Sequence, residues 1–314
     1  MSKNMLTIAT VICIAALAVC GAWILGRTVL DGMRYPDAER YTAGGTTLND
    51  GVKSLEIDWT DGSVTIARHA GNTVEVSETA PGAISADAAL RWWLDGDTLR
   101  IQYAKSGFFT FRSLNKALTV TLPEGLELEN VDIDVTSGDV NAPDLRADDI
   151  RVDLTSGDLA LSQSGSTQSM ALSSTSGNIS VSAGEVGSLS VSGTSANMRI
   201  VAERTEALKA STTSGTIFVE GGEAGKVDVN TTSGAVDVSL SAFSDLTIDV
   251  TSGNIAAALP SEPGYRADVS TTSGKFDYTV PLTRDGDGYT CGDGSGSVRI
   301  HATSGDIRLA DSGE

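Results

Sequence analysis

Six acidic or amide side chains fall at one phase of a repeat: Asp139, Asp158, Asn178, Asn197, Asn254 and Asp306 each follow a Thr-Ser-Gly or Thr-Ser-Ala tripeptide. A column of carboxylates is what a sugar-cleaving enzyme requires, since glycoside hydrolysis takes two carboxyl groups at a set separation with one held protonated. The same column also holds Thr216, Ala235 and Lys275, and no second polar column is expected to offer it a partner acid or base. Turn chemistry accounts for it more simply, because Asp and Asn follow glycine readily at tight corners. His69 and His301 are the only histidines and stand 232 positions apart, which supports neither a triad nor a histidine-based metal site. His301 occupies a column otherwise holding Asp, Ser and Asn and is expected to face solvent. The segment 285–296 begins like a calcium loop, but it lacks a fifth-position ligand and ends on Gly296 instead of glutamate. It reads as a Gly-rich loop leaving the repeat. Cys13 and Cys20 lie in an apolar N-terminal run, so Cys291 is the only thiol beyond it and has no disulfide partner there. No catalytic, cofactor-binding or metal-binding residue is assigned.

What positions these side chains is the tripeptide itself. Its third residues are Gly138, Gly157, Gly177, Ala196, Gly215, Gly234, Gly253, Gly274 and Gly305, at spacings of 19 to 21 residues until a final one of 31. Such a period signals stacked supersecondary units. Aligned on that third residue, four columns are apolar or Tyr in every copy: seven before (Val131, Ile150 … Val298), five before (Ile133, Val152 … Ile300), two after (Val140, Leu159 … Ile307) and four after (Ala142, Leu161 … Leu309). The spacing of two within each half is the strand period. Parity flips across the tripeptide, so Thr-Ser-Gly must be a corner or bulge that re-phases the alternation, where a glycine at positive φ is useful. Ala196 departs from this. A Cβ in left-handed geometry costs on the order of 1 kcal/mol, and Asn197 beside it is the expected bearer of the strain.

Stacked at about 4.8 Å, the copies align their columns into one core. The expected fold is all-β, a parallel β-helix or β-solenoid of roughly 19-residue coils. Leu55, Ile57, Thr60, Gly62, Val64 and Ile66 fit the same template as a first, divergent coil. Between Gly62 and Gly138 lie 76 residues, four periods, without the motif. That interval concentrates Trp92, Trp93, Tyr103, Phe108, Phe109 and Phe111, an aromatic group expected to cap the solenoid end and shield it from edge pairing. The boundaries read from the sequence are an N-terminal membrane anchor over 1–26, a polar stalk over 27–50, a divergent β region or cap over 51–125, and the repeat solenoid over 126–314.

The repeated Thr-Ser-Gly-Asp/Asn before an apolar residue, the Leu122-Pro123 junction and the closing Ile300…Thr-Ser-Gly-Asp-Ile307 resemble the bacterial putative-adhesin domain family, a domain of unknown function. The resemblance covers roughly residues 50–311. It implies a β-helix on a membrane-anchored envelope protein and carries over no binding residue.

With 41 acidic against 22 basic residues the formal net charge is −19, which opposes nucleic acid and anionic lipid. Residues 5–25 carry no charge and would form a helix of roughly 31 Å, the thickness of a bilayer core. An uncleaved anchor is favoured over a cleaved signal peptide or a lipoprotein site at Cys20, because the apolar run continues through Trp23, Ile24 and Leu25. Lys3 before the span and Arg27, Arg34 and Arg40 after it argue against export by the charge rule. The acidic, Ser/Thr-rich remainder argues for it, and export is preferred. The expectation is therefore a single-pass cell-membrane protein, its C-terminal domain extracytoplasmic and non-enzymatic, without cofactor. It would serve as an adhesin-like scaffold or interaction surface for a cell-wall glycan or envelope protein. The alternatives are a carbohydrate-active β-helix enzyme, lyase or hydrolase, and an envelope-stress accessory protein.

Overall fold

The computed structural model describes residues 34–49, 51–110 and 112–312; the expected anchor over 5–25 and Phe111 lie outside them. Among the described residues no helix is long and apolar enough to cross a membrane. Apart from a 3-10 turn at Ala38–Arg40, every regular element among the described residues is a strand, and these strands join one continuous sheet. The repeat stacks in parallel register, Val140 beside Leu159, Met198 beside Ile217, and Ile217 beside Val236. Backbone pairing is close to unbroken around the coils, so that Leu159–Ser214 runs through several of them as one strand.

The four apolar columns are buried in every copy except at Val269, Phe276 and Tyr278, all in the coil of Gly274. A fifth inward column stands three residues before the corner: Val135, Leu154, Ser174, Thr212, Thr231, Val250 and Ala302 are buried there. Its mixed composition hid it from a reading based on apolarity.

The corner glycines are required twice over. Gly157 has φ +137°, and a Cβ on it would lie 1.9 Å from the carbonyl oxygen of Gly138 in the neighbouring coil. Ala196 meets the requirement differently. The positive-φ residues other than glycine are Asp37 and Asn115 among those described, so neither Ala196 nor Asn197 bears the expected strain. The Ala196 side chain turns inward instead, 1 % exposed, into space left by Gly193, where a Cβ would lie 2.6 Å from that of Ala196.

Coil order departs from sequence order at both ends. Leu55 pairs with Val131 and Asp61 with Ser137, so the coil of Gly62 lies directly on that of Gly138. The 76 residues between are not four coils. Leu99 and Ile101 pair with the other side of Leu55 and Ile57, and Leu118 and Val120 with Val64 and Ile66, which makes 98–123 the outermost coil. Lys116 takes the corner place there, since a Cβ on Gly62 would lie 2.0 Å from its carbonyl oxygen. At the opposite end Leu246 pairs with Val298 and Ala267 pairs with Val298 from the other side. The last coil in sequence, that of Gly305, is thus inserted between those of Gly253 and Gly274. From end to end the corners run Lys116, Gly62, Gly138, Gly157, Gly177, Ala196, Gly215, Gly234, Gly253, Gly305, Gly274.

The Lys116 end is closed. Arg91–Asp95 and Val74–Thr79 pair antiparallel with the outer edges of 98–102 and 117–121. Residues 42–48, assigned from the sequence to the stalk, extend this cover: Thr42 pairs with Trp92 and Thr47 with Glu75. The aromatic residues Trp92, Trp93 and Tyr103 lie in this cap, as expected. Lys116, fully buried, donates from Nζ to Glu78 Oε2 at 2.7 Å, to the Ala88 carbonyl at 2.7 Å and to the Tyr103 carbonyl, with its ammonium 4.8 Å from the Trp59 ring centre. The Gly274 end is only half covered, by Gly288–Gly292 against Gly264–Ala267. That cover is the expected Gly-rich loop, folded as a hairpin with Thr283–Asp285.

Candidate binding groove

The column of acids and amides after the corner is absorbed by the fold. Asp139 Oδ1 accepts the backbone N–H of Asp158 at 2.9 Å, Asp158 Oδ1 that of Asn178 at 2.8 Å, and Asn197 Oδ1 that of Thr216 at 3.0 Å. Asn254 serves Asp306, and Asp306 serves Lys275, both at 2.9 Å. Each side chain satisfies an N–H of the next coil, which is the job the corner leaves undone. Lys275 stands at the outermost coil, beyond which no next coil lies among the described residues.

Polar side chains with no such duty converge on the other side of the corner. Ser211, Asn230, Asp249 and His301, four residues before the corner in successive coils, lie beside Thr213, Thr232, Thr251 and Thr303. Together they line an open groove of about 330 Å³. Its floor is the fifth inward column, where Thr212 donates to the Ser214 carbonyl at 3.1 Å and the buried Thr231 hydroxyl has no hydrogen-bond partner among the described residues. The groove is therefore built of hydroxyl, amide, carboxylate and imidazole groups at strand spacing.

The coil exchange brings together residues that sequential stacking would separate. His301 Nδ1 lies 3.1 Å from Ser270 Oγ, and Asp249 is its register partner on the opposite side. Ser270, His301 and Asp249 thus form one row across three coils. The row does not have the geometry of a nucleophilic triad. Serine engages Nδ1, the nitrogen that the carboxylate holds in a triad, and no Asp249–His301 hydrogen bond occurs among the described residues. His69 remains remote, its Nε2 2.7 Å from the Thr73 carbonyl in a local turn.

Towards the closed end the same outer column carries Asp58, Asp134 and Asp153 on successive coils. Burial, then the neighbouring Asp134 and Glu56 charges, push the Asp58 carboxyl up to about 6. Asp134 is raised by burial and by Asp153 and Asp132. Burial also lifts the nearby Tyr41 hydroxyl to about 12. Arg151 offsets part of this charge through an ion pair with Asp153 at 2.6 Å. A second concavity, about 920 Å³, follows the return turns, where Gly165, Gly184 and Gly222 are rimmed by Glu185, Glu203 and Glu223. Its Arg204 is already paired with Glu223 at 2.9 Å.

Among solved structures the chain is similar to a putative adhesin from Bacteroides fragilis NCTC 9343, 11% identical over 85% of this chain and 97% of that one, with a TM-score of 0.39. It is similar also to a putative adhesin from Parabacteroides distasonis ATCC 8503, 12% identical over the same shares, with a TM-score of 0.36. A putative cell adhesion protein from Clostridium sporogenes ATCC 15579 is 12% identical over 86% of this chain and all of that one, with a TM-score of 0.22. No curated protein matches the chain. The family described as Toastrack DUF4097 matches residues 52–310, which takes in every coil from the closed end to the open one, and the chain belongs to that family.

Proposed function

We propose that the protein is a non-enzymatic, membrane-anchored cell-envelope scaffold whose solenoid presents the groove of Ser211, Asn230, Asp249 and His301 to a polar polymer, foremost a cell-wall glycan. One observation carries this reading: a half-buried polar side chain and an exposed threonine hydroxyl stand side by side in each successive coil of the groove, while the acids after the corner are spent on backbone N–H groups. A rigid ladder of weak hydrogen-bonding sites favours a repeating ligand, because one chain can engage successive rungs and gain avidity. The net charge of −19 directs the choice to a neutral or basic polymer. The uncharged 5–25 span is the anchor in this reading, and the acidic domain beyond it is extracytoplasmic.

The test is retention of the purified full chain, in detergent micelles, on insoluble cell-wall polymers. Wild-type protein is expected to bind, and Asn230→Arg, which fills the groove centre, to weaken binding at least tenfold while the circular dichroism spectrum is kept. Equal retention of the variant would reject the groove. Release of soluble sugar by the wild type would reject the non-enzymatic reading.

A further inference from the structure

The open end of the solenoid carries an unused β-edge with its own pairing code, and we infer that this edge is a two-fold dimer interface taking a second copy of the chain. In the interior coils, the corner glycine donates its N–H to the next coil, as Gly253 does to Ser304 at 2.9 Å and Gly305 to Ser273 at 2.9 Å. The residue two further on does the same, as Ile255 to Asp306 at 2.9 Å and Ile307 to Lys275 at 2.8 Å. Gly274 and Phe276 hold these positions in the outermost coil, and no strand lies beyond them among the described residues. Ile307 donates to the Lys275 carbonyl and Thr279 to the Leu309 carbonyl, so the alternation of a parallel ladder turns Phe276 and Tyr278 N–H and C=O groups outward.

Three features select a second copy as the occupant. The first is that, among the described residues, the parallel edge of a coil is bare at this end alone. The other end is overlaid by antiparallel strands out to the short 42–43 and 46–48, which present no matching coil edge, so head-to-tail stacking is disfavoured and a closed isologous pair is the arrangement that fits. The second is the break in the corner ladder. Lys275 places a cation at the edge where Asp139, Asp158, Asn197, Asn254 and Asp306 each accept an N–H of the next coil, so a further parallel coil would find no side-chain acceptor there. The third is charge. In an antiparallel pair centred on Phe276, that residue faces its own copy through the hydrogen-bonded pairing that its outward groups allow. Tyr278 then faces Gly274, and Lys275 faces Asp277 of the second copy, twice over by symmetry. Directly opposite charges of this kind are favourable cross-strand neighbours. The apolar surface fits the same geometry. Val269, Phe276 and Tyr278 are the members of the apolar columns that are not buried in the single chain, and Phe276, Tyr278 and Tyr289 form a ring cluster with centroids 5.3 to 5.9 Å apart. Uncovered, such an edge is an aggregation hazard. A two-fold mate covers it.

Sedimentation equilibrium of the full chain in density-matched detergent tests this, with mass followed from 1 to 100 µM. The wild type is expected to dimerise within that range. Asp277→Lys places lysines opposite each other and is expected to raise the dissociation constant at least tenfold. The double variant Lys275→Asp/Asp277→Lys restores opposite charges and is expected to restore the dimer. Both positions are exposed, and matching melting curves will show that the fold is kept. A wild type that stays monomeric to 100 µM, an Asp277→Lys variant that dimerises as before, or a double variant that does not recover would each overturn the interface. Glycan retention does not enter this readout, so the groove and the interface stand or fall separately.

Discussion

Asp58 shows how a repeating column can place like charges against one another. The column four residues before the corner faces outward along the rod, and where adjacent coils both carry Asp their carboxylates are held at strand spacing. Asp58 is also shielded by the cap, which disfavours its charged form. Its folded-state pKa of about 6 lies above its ordinary value of 3.8. The folded protein therefore holds a proton that the unfolded chain releases, and the sign follows from linkage. The stabilisation from this group is fully present below pH of about 4 and is lost as pH rises through about 6. Asp58→Asn removes the penalty at neutral pH. It is expected to raise stability at pH 7.5 by up to about 3 kcal/mol, since one pKa unit corresponds to about 1.4 kcal/mol, and to change it little at pH 4. Thermal melts of both proteins at the two pH values measure this. A substitution equally stabilising at pH 4 would mean that packing, and not titration, sets the difference.

At the scale of the coil, the corner exists in two forms. In one, a glycine at positive φ brings its backbone against the carbonyl of the preceding coil, and the inward residue three before it fills the core, as with Leu154 before Gly157. In the other, Ala196 fills that core space and Gly193 yields it. Gly193→Ala alone collides with the Ala196 methyl and is expected to cost about 1–3 kcal/mol, the usual range for overpacking. Ala196→Gly alone empties a buried methyl site and loosens the unfolded chain, for about 1–2 kcal/mol. Together they recreate the common corner, so the double variant is expected to be more stable than the sum of the singles by at least about 1 kcal/mol. Urea denaturation of the four proteins gives the coupling, and strict additivity would show that the two corner forms are unrelated. The repeat period and the parity flip at Thr-Ser-Gly made the corner and four of the five inward columns legible in the sequence. Ala196 was visible as an exception, but its remedy three residues earlier was not, because Gly193 falls in a column that mixes Val, Leu, Ser and Thr. The groove was hidden for a related reason. Its residues were legible as a polar column, but which of them are neighbours depends on stacking order.

For the whole molecule, stacking order is the property that periodicity cannot encode, since every coil offers much the same edge to every other. The order at the ends is set by the insertions: the strands of the cap between Gly62 and Gly138, and the hairpin between Gly274 and Gly305. The outcome is that the last strand of the repeat, Ile307–Asp311, has a parallel neighbour on each side, 255–259 and 276–278. Similarly, Ser54–Asp61 near the start lies between 98–102 and 128–137. A solenoid stacked in sequence order would unzip from its ends inward, its last strand opening first, because each coil contacts only its neighbours. Here, freeing Ile307–Leu309 requires breaking two ladders, while Phe276–Tyr278 is held by one. Hydrogen exchange should therefore run against sequence position. Under native conditions the outward amides of Phe276 and Tyr278 are expected to exchange at rates set by local opening, and those of Arg308 and Ala310, which the ladder alternation turns towards 255–259, at least 100-fold more slowly. Dimerisation through the open edge would slow the first pair, so the comparison is made at the lowest concentration that the measurement allows. Faster exchange at Arg308 and Ala310 than at Phe276 and Tyr278 would show that the final coil frays as a terminus and that its insertion does not lock the rod.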